Sequence, residues 1–384
     1  MSPGGAAFRL AAYYVALFTT VGIHLPFWPL WLKDQGLTPA DMGLIMAATY
    51  LAKVVVNPII GHVVDGRGER RRAMMLLACG AAVAWTGFAL TDGFWSILLV
   101  TLLALGMWSP IMPVGESLAM MTTHRHRLDY GRVRMWGSAA FILTAVLVGR
   151  LLVGRSPDVL IWLIAGTLAL TAVACWHLPE VRVERPAGEA PPSLKTLLAN
   201  LAFLVFLAAG ALNQAAHTAY YAFSTIHWKA AGITDDTIGL LWSEGVMAEI
   251  VLFSVSGLAV RRLGPAGLLL TAALAGVVRW LVLGATTELP LLFAAQLLHG
   301  ATFGCAHLGA MHFIQRTIPA GLSARAQGFY SAAAMGIAPG LMSPLAGHLY
   351  EALGGGAFVV MAGLSAISAV AGWRLVRASA PAPR

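Results

Sequence analysis

The feature that most constrains this chain is the recurrence of apolar runs about 20 residues long from one end of the sequence to the other. A helix needs about 20 residues to cross the roughly 30 Å hydrocarbon layer of a membrane. Only helices and closed barrels satisfy backbone hydrogen-bonding groups in lipid, and continuous apolar runs favour helices. With 58% hydrophobic and 11% charged residues, the sequence is typical of an all-α integral membrane protein.

We predict twelve transmembrane helices. The first run is too long for the apolar region of a cleaved signal peptide, which is about 7–15 residues, and is therefore taken as the first span. The approximate bounds of the spans are 9–32, 40–64, 73–91, 94–122, 131–153, 158–177, 196–226, 235–260, 266–286, 289–314, 325–349 and 356–376.

The distribution of basic residues predicts the orientation. If the N-terminus is cytoplasmic, nineteen of the 25 lysines and arginines fall on the cytoplasmic side, four fall outside, and Lys53 and Arg279 lie within the membrane. This asymmetry follows the positive-inside rule and places both termini in the cytoplasm. It also explains the net charge of +8 without a nucleic-acid partner.

The chain divides into two halves. Residues 179–195, PEVRVERPAGEAPPSLK, form the only long polar stretch and are predicted to be a cytoplasmic linker between residues 1–178 and 196–384, with six spans in each half. RVRMWGSAA, which begins at residue 132, recurs as RAQGFYSAA 193 positions later. Three residues of GHVVDGRGERRR are matched 196 positions later in GLAVRRLG: Gly61, Asp65 and Gly68 by Gly257, Arg261 and Gly264.

Two repeats at nearly one offset indicate a duplicated six-helix unit. This organisation predicts two pseudo-symmetric halves and is typical of a transporter with its site between them. In the second repeat Arg132 is retained as Arg325, whereas Arg134 is replaced by Gln327. Arg134 is therefore extra to the inside-positive requirement.

Ionisable residues within spans cost several kcal/mol and mark candidate functional sites. The three cations and three anions among them suggest pairing across a shared cavity. They are Lys53, Arg134, Arg279, Glu116, Glu244 and Glu249.

Glu116 and Arg134 lie near the cytoplasmic ends of consecutive antiparallel spans, so they are predicted to reach similar depth and to pair. A structural salt bridge, or a snorkelling cation for Arg134, is the alternative. Glu244 and Glu249 are five residues apart, about 140° round a helix, and cannot share one cavity. Glu249 shares a stripe with Trp242 and Val246 and is favoured as the buried carboxylate; a paired structural glutamate is the alternative.

Two further spans carry polar and aromatic stripes. Span ten has Gln296, His299 and His307 within about an 80° sector, although an intramembrane histidine is more often a packing residue than a functional one. The stripe of span seven consists of Asn213, His217, Tyr220, Tyr221 and Ser224.

Other residue types predict packing rather than chemistry. Cys79, Cys175 and Cys305 have no metal-ligand spacing and are predicted to be small core residues, so no metal is expected. The sequence has no Walker motif and no H-E-x-x-H, so neither a cofactor nor an enzyme is expected. Four tryptophans at outer ends of spans are predicted to form an interfacial belt: Trp28, Trp31, Trp95 and Trp228.

GHVVDGRGERRR resembles the loop motif between spans two and three of the major facilitator superfamily. The resemblance implies that Gly61 allows close helix packing and that Asp65, with Gly68 and Arg70, belongs to a gating motif. Gly66 stands where that motif usually has an arginine.

A closer resemblance extends through DYGRVRMWGSAAF, LWSEGVMAEIVLF and QLLHGATFGCAHLGAMHFI. These segments are similar to the phenylpropionate permease group, which is related to the lactose permease and nucleoside proton symporters. The 18-residue spacing from Glu116 to Arg134 equals that of the sugar-binding pair of lactose permease. Arg279 and His299 match its residues of proton coupling. Three positions depart from it: Thr302 and Val246 replace glutamates, and His217 replaces an aspartate.

The expected function is proton-coupled import of a small organic acid, such as a phenylpropionate-like aromatic carboxylate, through the bacterial inner membrane by a monomeric transporter. Glu249, Arg279 and His299 are expected to couple the proton. The expected substrate-binding residues are Glu116, Arg134, Lys53, Asn213, His217, Tyr220, Tyr221, Trp242 and Gln296, of which Arg134 or Lys53 binds the carboxylate and Tyr220, Tyr221 and Trp242 the ring. Efflux of amphipathic molecules, or uptake of a sugar or nucleoside, is the alternative on the same fold. The absence of proline from AAFILTAVLVGRLLVG in span five favours import over efflux.

Overall fold

A computed structural model describes residues 2–179 and 197–379. The predicted linker, except for residue 179 at its start, and the last five residues lie outside this range. Helices dominate the described residues. In chain order they are α1 Pro3–Asp34, α2 Pro39–Arg67, α3 Arg70–Thr86, α4 Gly93–Trp108, α5 Ile111–His126, α6 Tyr130–Leu152, α7 Val159–His177, α8 Leu201–Ala215, α9 Thr218–Ala230, α10 Asp235–Ser254, α11 Ser256–Ala285, α12 Leu289–His299, α13 Ala306–Thr317, α14 Ala320–Ala332, α15 Ala338–Leu353 and α16 Gly356–Ser379.

Contacts divide the chain into two compact units. The first unit comprises Met1–Pro186 with Gly232–Ser243, and the second comprises Ala187–Ala231 with Glu244–Arg384. Within the first unit, the Oγ of Ser243 donates to the carbonyl oxygen of Ile142 at 3.1 Å. The start of α10 therefore belongs with the N-terminal helices, although the sequence assigns it to the second predicted half.

Eleven helices of the described residues are long and apolar enough to span a membrane. They correspond to the predicted spans except the eleventh, 325–349. That segment is also helical, as α14, a π-helical turn at Ala333–Ile337, and α15. Its glycines and prolines make it less apolar than the other spans.

Two predicted spans are interrupted in the structure. The fourth consists of α4 and α5, which are separated by a turn at Ser109 and Pro110. The seventh consists of α8 and α9. At this second break the N–H of His217 bonds to the carbonyl of Gln214, three residues earlier, in place of a regular helical bond.

Two pairs of backbone irregularities lie at the offsets of the sequence repeats. Gly68 ends α2 with φ 68°, and Gly264, 196 positions later, bends α11 with φ 64°. Both are in the left-handed region that favours glycine. The break in span four at Ser109 corresponds, at the offset of 193, to Thr302 in a π-helical turn at Gly300–Cys305. The two units therefore share irregularities as well as sequence.

Two packing predictions were wrong. Trp28, Trp31 and Trp228 are at most 4% exposed, and of the four predicted belt tryptophans Trp95 alone is exposed. The rings of Trp28 and Trp31 stack on each other with centroids 4.5 Å apart. Cys79 is exposed, since the buried face of α3 carries Met74, Ala78, Ala81 and Trp85; Cys175 and Cys305 are buried.

Candidate functional site

A bonded polar network occupies the interior of the second unit, and Arg279 of α11 lies at its centre. The side chain is completely buried. Its Nη1 donates to the Nδ1 of His299 at 2.7 Å, and its Nη2 donates to the Oε1 of Gln296 at 2.6 Å. The guanidinium also lies over the rings of Tyr220, at 4.3 Å, and Trp280, at 4.8 Å. These contacts hold a buried cation in one orientation.

The bond from Arg279 fixes the tautomer of His299. A guanidinium has only donors, so the Nδ1 of His299 must accept and carries no proton. The proton of a neutral imidazole is then on Nε2, which lies 2.8 Å from the Oε1 of Glu249 and donates to it. The imidazole therefore connects a buried cation to a carboxylate. Glu249, which the sequence favours over Glu244, is the member of that pair that contacts the network.

A second arm of the network runs through Thr302. Its Oγ1 accepts from the Nη1 of Arg279 at 3.2 Å and lies 3.3 Å from the Nε2 of His217. The backbone carbonyl of Thr302 accepts from the Nδ2 of Asn213 at 3.1 Å, and the Nδ1 of His217 donates to the carbonyl of Asn213 at 2.8 Å. Thr302 thus links three of the predicted site residues.

The π-helical turn explains why the sequence missed this role of Thr302. A π-helical turn adds a residue to the helix and changes which side chains share a face. Gln296 and His299 are buried, whereas His307 beyond the turn is exposed. A Cβ at Gly300 would lie 2.7 Å from the carbonyl oxygen of Ala248, so glycine permits the close contact here.

The aromatic residues predicted to contact a ring differ in exposure. Tyr220 is 1% exposed and its hydroxyl accepts from the Nε2 of Gln296 at 2.9 Å, so it supports the network. Tyr221 is half-buried and stacks on His217 with centroids 5.7 Å apart. Trp242 is 4% exposed. Their part in binding a substrate stays a prediction.

In the first unit Arg134 contacts Glu116. The Nε of Arg134 lies 3.3 Å from the Oε1 of Glu116, and both side chains are about 30% exposed. Oε2 of Glu116 accepts from the hydroxyl of Tyr14 at 2.9 Å and from the hydroxyl of Tyr130. The guanidinium lies 4.0 Å from the centroid of Phe18.

Two local features place this pair. Asp129 caps α6 by accepting from the N–H of Arg132, and Tyr130 precedes Arg134 by four residues on the same helix face. The sequence analysis missed Tyr14 and Tyr130. The spacing of Tyr130 from Arg134 is the signal that was available for the second of them.

Lys53 differs from the other intramembrane cations. Its Nζ lies 5.3 Å from the centroid of the Tyr50 ring, and among the described residues it has neither a carboxylate nor a hydrogen-bond partner. Lys53 is therefore an uncompensated cation beside the ring of Tyr50.

The predicted gating motif lies at the junction of α2 and α3. A Cβ at Gly61 would meet nothing within 4 Å, so the close packing expected there is wrong in this conformation. Gly68 caps α2 by donating its N–H to the carbonyl of Val64 at 2.9 Å. Arg70 begins α3. The side chain of Asp65 lies outside the described part of the chain.

Comparison with known proteins shows the class of protein that this architecture belongs to. A family model described as "MFS_1 like family" matches residues 7–360. The chain belongs to this family, and it is a multi-pass membrane transporter of the major facilitator superfamily rather than an enzyme.

Individual relatives cover nearly the whole chain. Over 370 residues it is 37% identical to a protein of Escherichia coli (strain K12) described as "Probable 3-phenylpropionic acid transporter". The aligned region covers 92% of this chain and 93% of the relative. It is 26% identical over 362 residues to the maltose permease of Geobacillus stearothermophilus, 90% of this chain and 91% of that one. The crystal structure of a mutant of the nucleoside transporter NupG has the same fold, with a TM-score of 0.86 at 16% identity, covering 96% of this chain and 99% of that chain.

Proposed function

We propose that this protein is a proton symporter of the bacterial inner membrane that imports a small organic acid, a phenylpropionate-like aromatic carboxylate, by alternating access. Both termini are cytoplasmic in this proposal. The description of the Escherichia coli relative supports the cargo. The single observation that carries the proposal is the bonded series in which His299 connects Glu249 to the buried guanidinium of Arg279.

The proton chemistry follows from the charge balance of this series. With Glu249 ionised, its negative charge opposes the positive charge of Arg279 through a neutral imidazole. A proton on Glu249 removes that opposition and leaves the buried cation uncompensated, which is costly in a low dielectric. A proton on the Nδ1 of His299 is also costly, because a protonated Nδ1 cannot accept the hydrogen bond that Arg279 donates. In this proposal the negative charge of the substrate offsets the added proton in the transporter as a whole, so the proton and the carboxylate are carried together.

The carboxylate of the substrate binds to Lys53 in this proposal. Arg134 was the other candidate, but its charge is already opposed by Glu116 at 3.3 Å. Lys53 has no such partner among the described residues. Asn213, His217, Tyr220 and Gln296 act in this proposal by holding the coupling network, and the ring contacts expected of Tyr221 and Trp242 stay predictions.

Uptake of radiolabelled 3-phenylpropionate into proteoliposomes containing the purified protein tests this function. An inward proton gradient is expected to accelerate uptake, and a protonophore is expected to remove the acceleration. Saturable uptake that ignores both treatments would disprove proton coupling. No saturable uptake of any aromatic acid would disprove the cargo.

Uptake of a sugar or nucleoside is a second candidate, favoured by the surroundings of Glu116. A partly exposed ion pair flanked by the hydroxyls of Tyr14 and Tyr130 offers donors and acceptors to a polyhydroxylated ligand. Competition in the same assay separates the candidates. Inhibition of 3-phenylpropionate uptake by benzoate but not by maltose or uridine supports the acid, and the reverse order supports the alternative.

A further inference from the structure

An open groove of about 710 Å³ runs along the first unit and is lined by residues of α1, α6 and α7. Its floor on α1 consists of small side chains, among them Ala11, Ala12 and Ala16. Larger apolar groups such as Trp136, which is 55% exposed, form its walls. The groove has the volume of a ligand site rather than of a packing defect.

Two ionisable residues of the described part of the chain line the groove, and both are basic. Arg132, in the first turns of α6, and His177, the last residue of α7, lie at the predicted cytoplasmic end. Arg9 is beside them, since its Nη1 donates to the carbonyl oxygen of His177 at 3.1 Å. No aspartate or glutamate of the described ranges 2–179 and 197–379 lines the groove. The Asp129 carboxylate accepts from the backbone N–H of Arg132 as the helix cap.

The guanidinium of Arg132 has no hydrogen-bond partner among the described residues, and its side chain is exposed. An exposed cation at the membrane surface attracts anionic headgroups, and basic pockets between transmembrane helices on the cytoplasmic side bind lipid phosphates. The apolar groove beyond it matches a hydrocarbon chain. Charge at one end and apolar surface along the rest are the two parts of a phospholipid.

We propose that this groove binds an anionic phospholipid of the cytoplasmic leaflet, with its phosphate on Arg132 and one acyl chain along the alanines of α1. The proposal rests on the predicted orientation and is independent of the transported substrate. Arg132 therefore serves lipid binding, whereas Arg134, two residues later, pairs with Glu116.

The test uses the full-length protein in detergent, freed of lipid and titrated with dioleoyl phosphatidylglycerol or dioleoyl phosphatidylcholine. Native mass spectrometry counts the lipids bound. We expect phosphatidylglycerol to bind about fivefold more tightly, which is the factor that one cation near an anionic headgroup contributes. Arg132→Gln is expected to remove this preference. Arg125→Gln removes an equal charge from an exposed position outside the groove and is expected to retain it.

A second variant tests the acyl chain. Ala12→Phe fills the floor of the groove and is expected to abolish tight binding of both lipids, whereas Ala366→Phe, at an exposed position of α16, is expected to leave it unchanged. Equal affinity for the two lipids would overturn the proposal, as would equal effects of Arg132→Gln and Arg125→Gln. A change of oligomeric state on Ala12→Phe, without a change in bound lipid, would assign the groove to a second copy of the chain instead.

Discussion

Replacing Glu249 by glutamine removes one negative charge from the coupling network while keeping the shape of the side chain. The Oε1 of Glu249 accepts from the Nε2 of His299 at 2.8 Å, and a glutamine oxygen still accepts there. A hydrogen bond to a charged group contributes about 1.5–3 kcal/mol, against about 0.5–1.5 kcal/mol for a neutral one, so this bond weakens by roughly 1–1.5 kcal/mol. The folded network survives, but the site can no longer release or accept a proton.

The consequence for transport is larger than the loss of the bond. One pH unit corresponds to about 1.36 kcal/mol, which an electroneutral symport of one proton with one anion converts into about tenfold accumulation. In Glu249→Gln we expect a gradient of this size to give no acceleration over uptake without a gradient. Exchange of labelled for unlabelled substrate is expected to persist, because exchange needs no net movement of protons.

Initial rates in proteoliposomes separate these outcomes. Protein-free vesicles must be subtracted, because the protonated acid crosses lipid unaided. Glu244→Gln is the matched control: it makes the same change on α10, and neither of its oxygens contacts His299 in the structure. Gradient-driven uptake that survives in Glu249→Gln but is lost in Glu244→Gln would refute the assignment of the proton site.

Three other changes have defined expectations. Arg279→Lys keeps the charge, but one ammonium cannot replace a fork that bonds His299 and Gln296 at once, so transport is expected to fall at least about tenfold in the same assay. Lys53→Gln is expected to raise the KM for 3-phenylpropionate about tenfold or more and to leave the affinity for 3-phenylpropionamide, its uncharged amide, unchanged. An equal loss of affinity for both ligands would contradict a contact between Lys53 and the carboxylate. Gly68→Ala is expected to destabilise the protein by about 1–2 kcal/mol, because alanine is strained at φ 68°. Gly61→Ala lies inside α2 with no atom near the added Cβ, and it is expected to raise the melting temperature slightly.

The sequence predicted the features that depend on period and spacing. Apolar runs located the spans, and the depth of two antiparallel helices suggested that Glu116 and Arg134 are neighbours, as their 3.3 Å contact shows. The stripe containing Trp242 favoured Glu249 over Glu244, and Glu249 contacts His299; its role in proton coupling stays a prediction. These inferences need only regular helix geometry, which continuous apolar sequence enforces in a membrane.

The features that sequence analysis missed arise where helices are irregular or where packing decides exposure. The π-helical turn has no residue pattern of its own, and within it Gly300 lies close to the backbone at Ala248. Beyond the turn His307 is exposed, and within it Thr302 bonds to Arg279. Burial of Trp28 is likewise set by contacts between rings that no helical period encodes.

Corresponding positions of the two sequence repeats carry different polar contacts. The irregular turns at Ser109 in one unit and Thr302 in the other are separated by the offset of the sequence repeat. Irregular backbone at membrane depth persists only where protein groups satisfy its hydrogen bonds. In the first unit the Oγ of Ser109 bonds to the Oδ1 of Asn57 at 2.9 Å. In the second unit the carbonyl and hydroxyl of Thr302 bond to Asn213, His217 and Arg279. In the second unit the polar groups around the irregular turn thus also support a buried cation, and this is the unit to which we assign the proton.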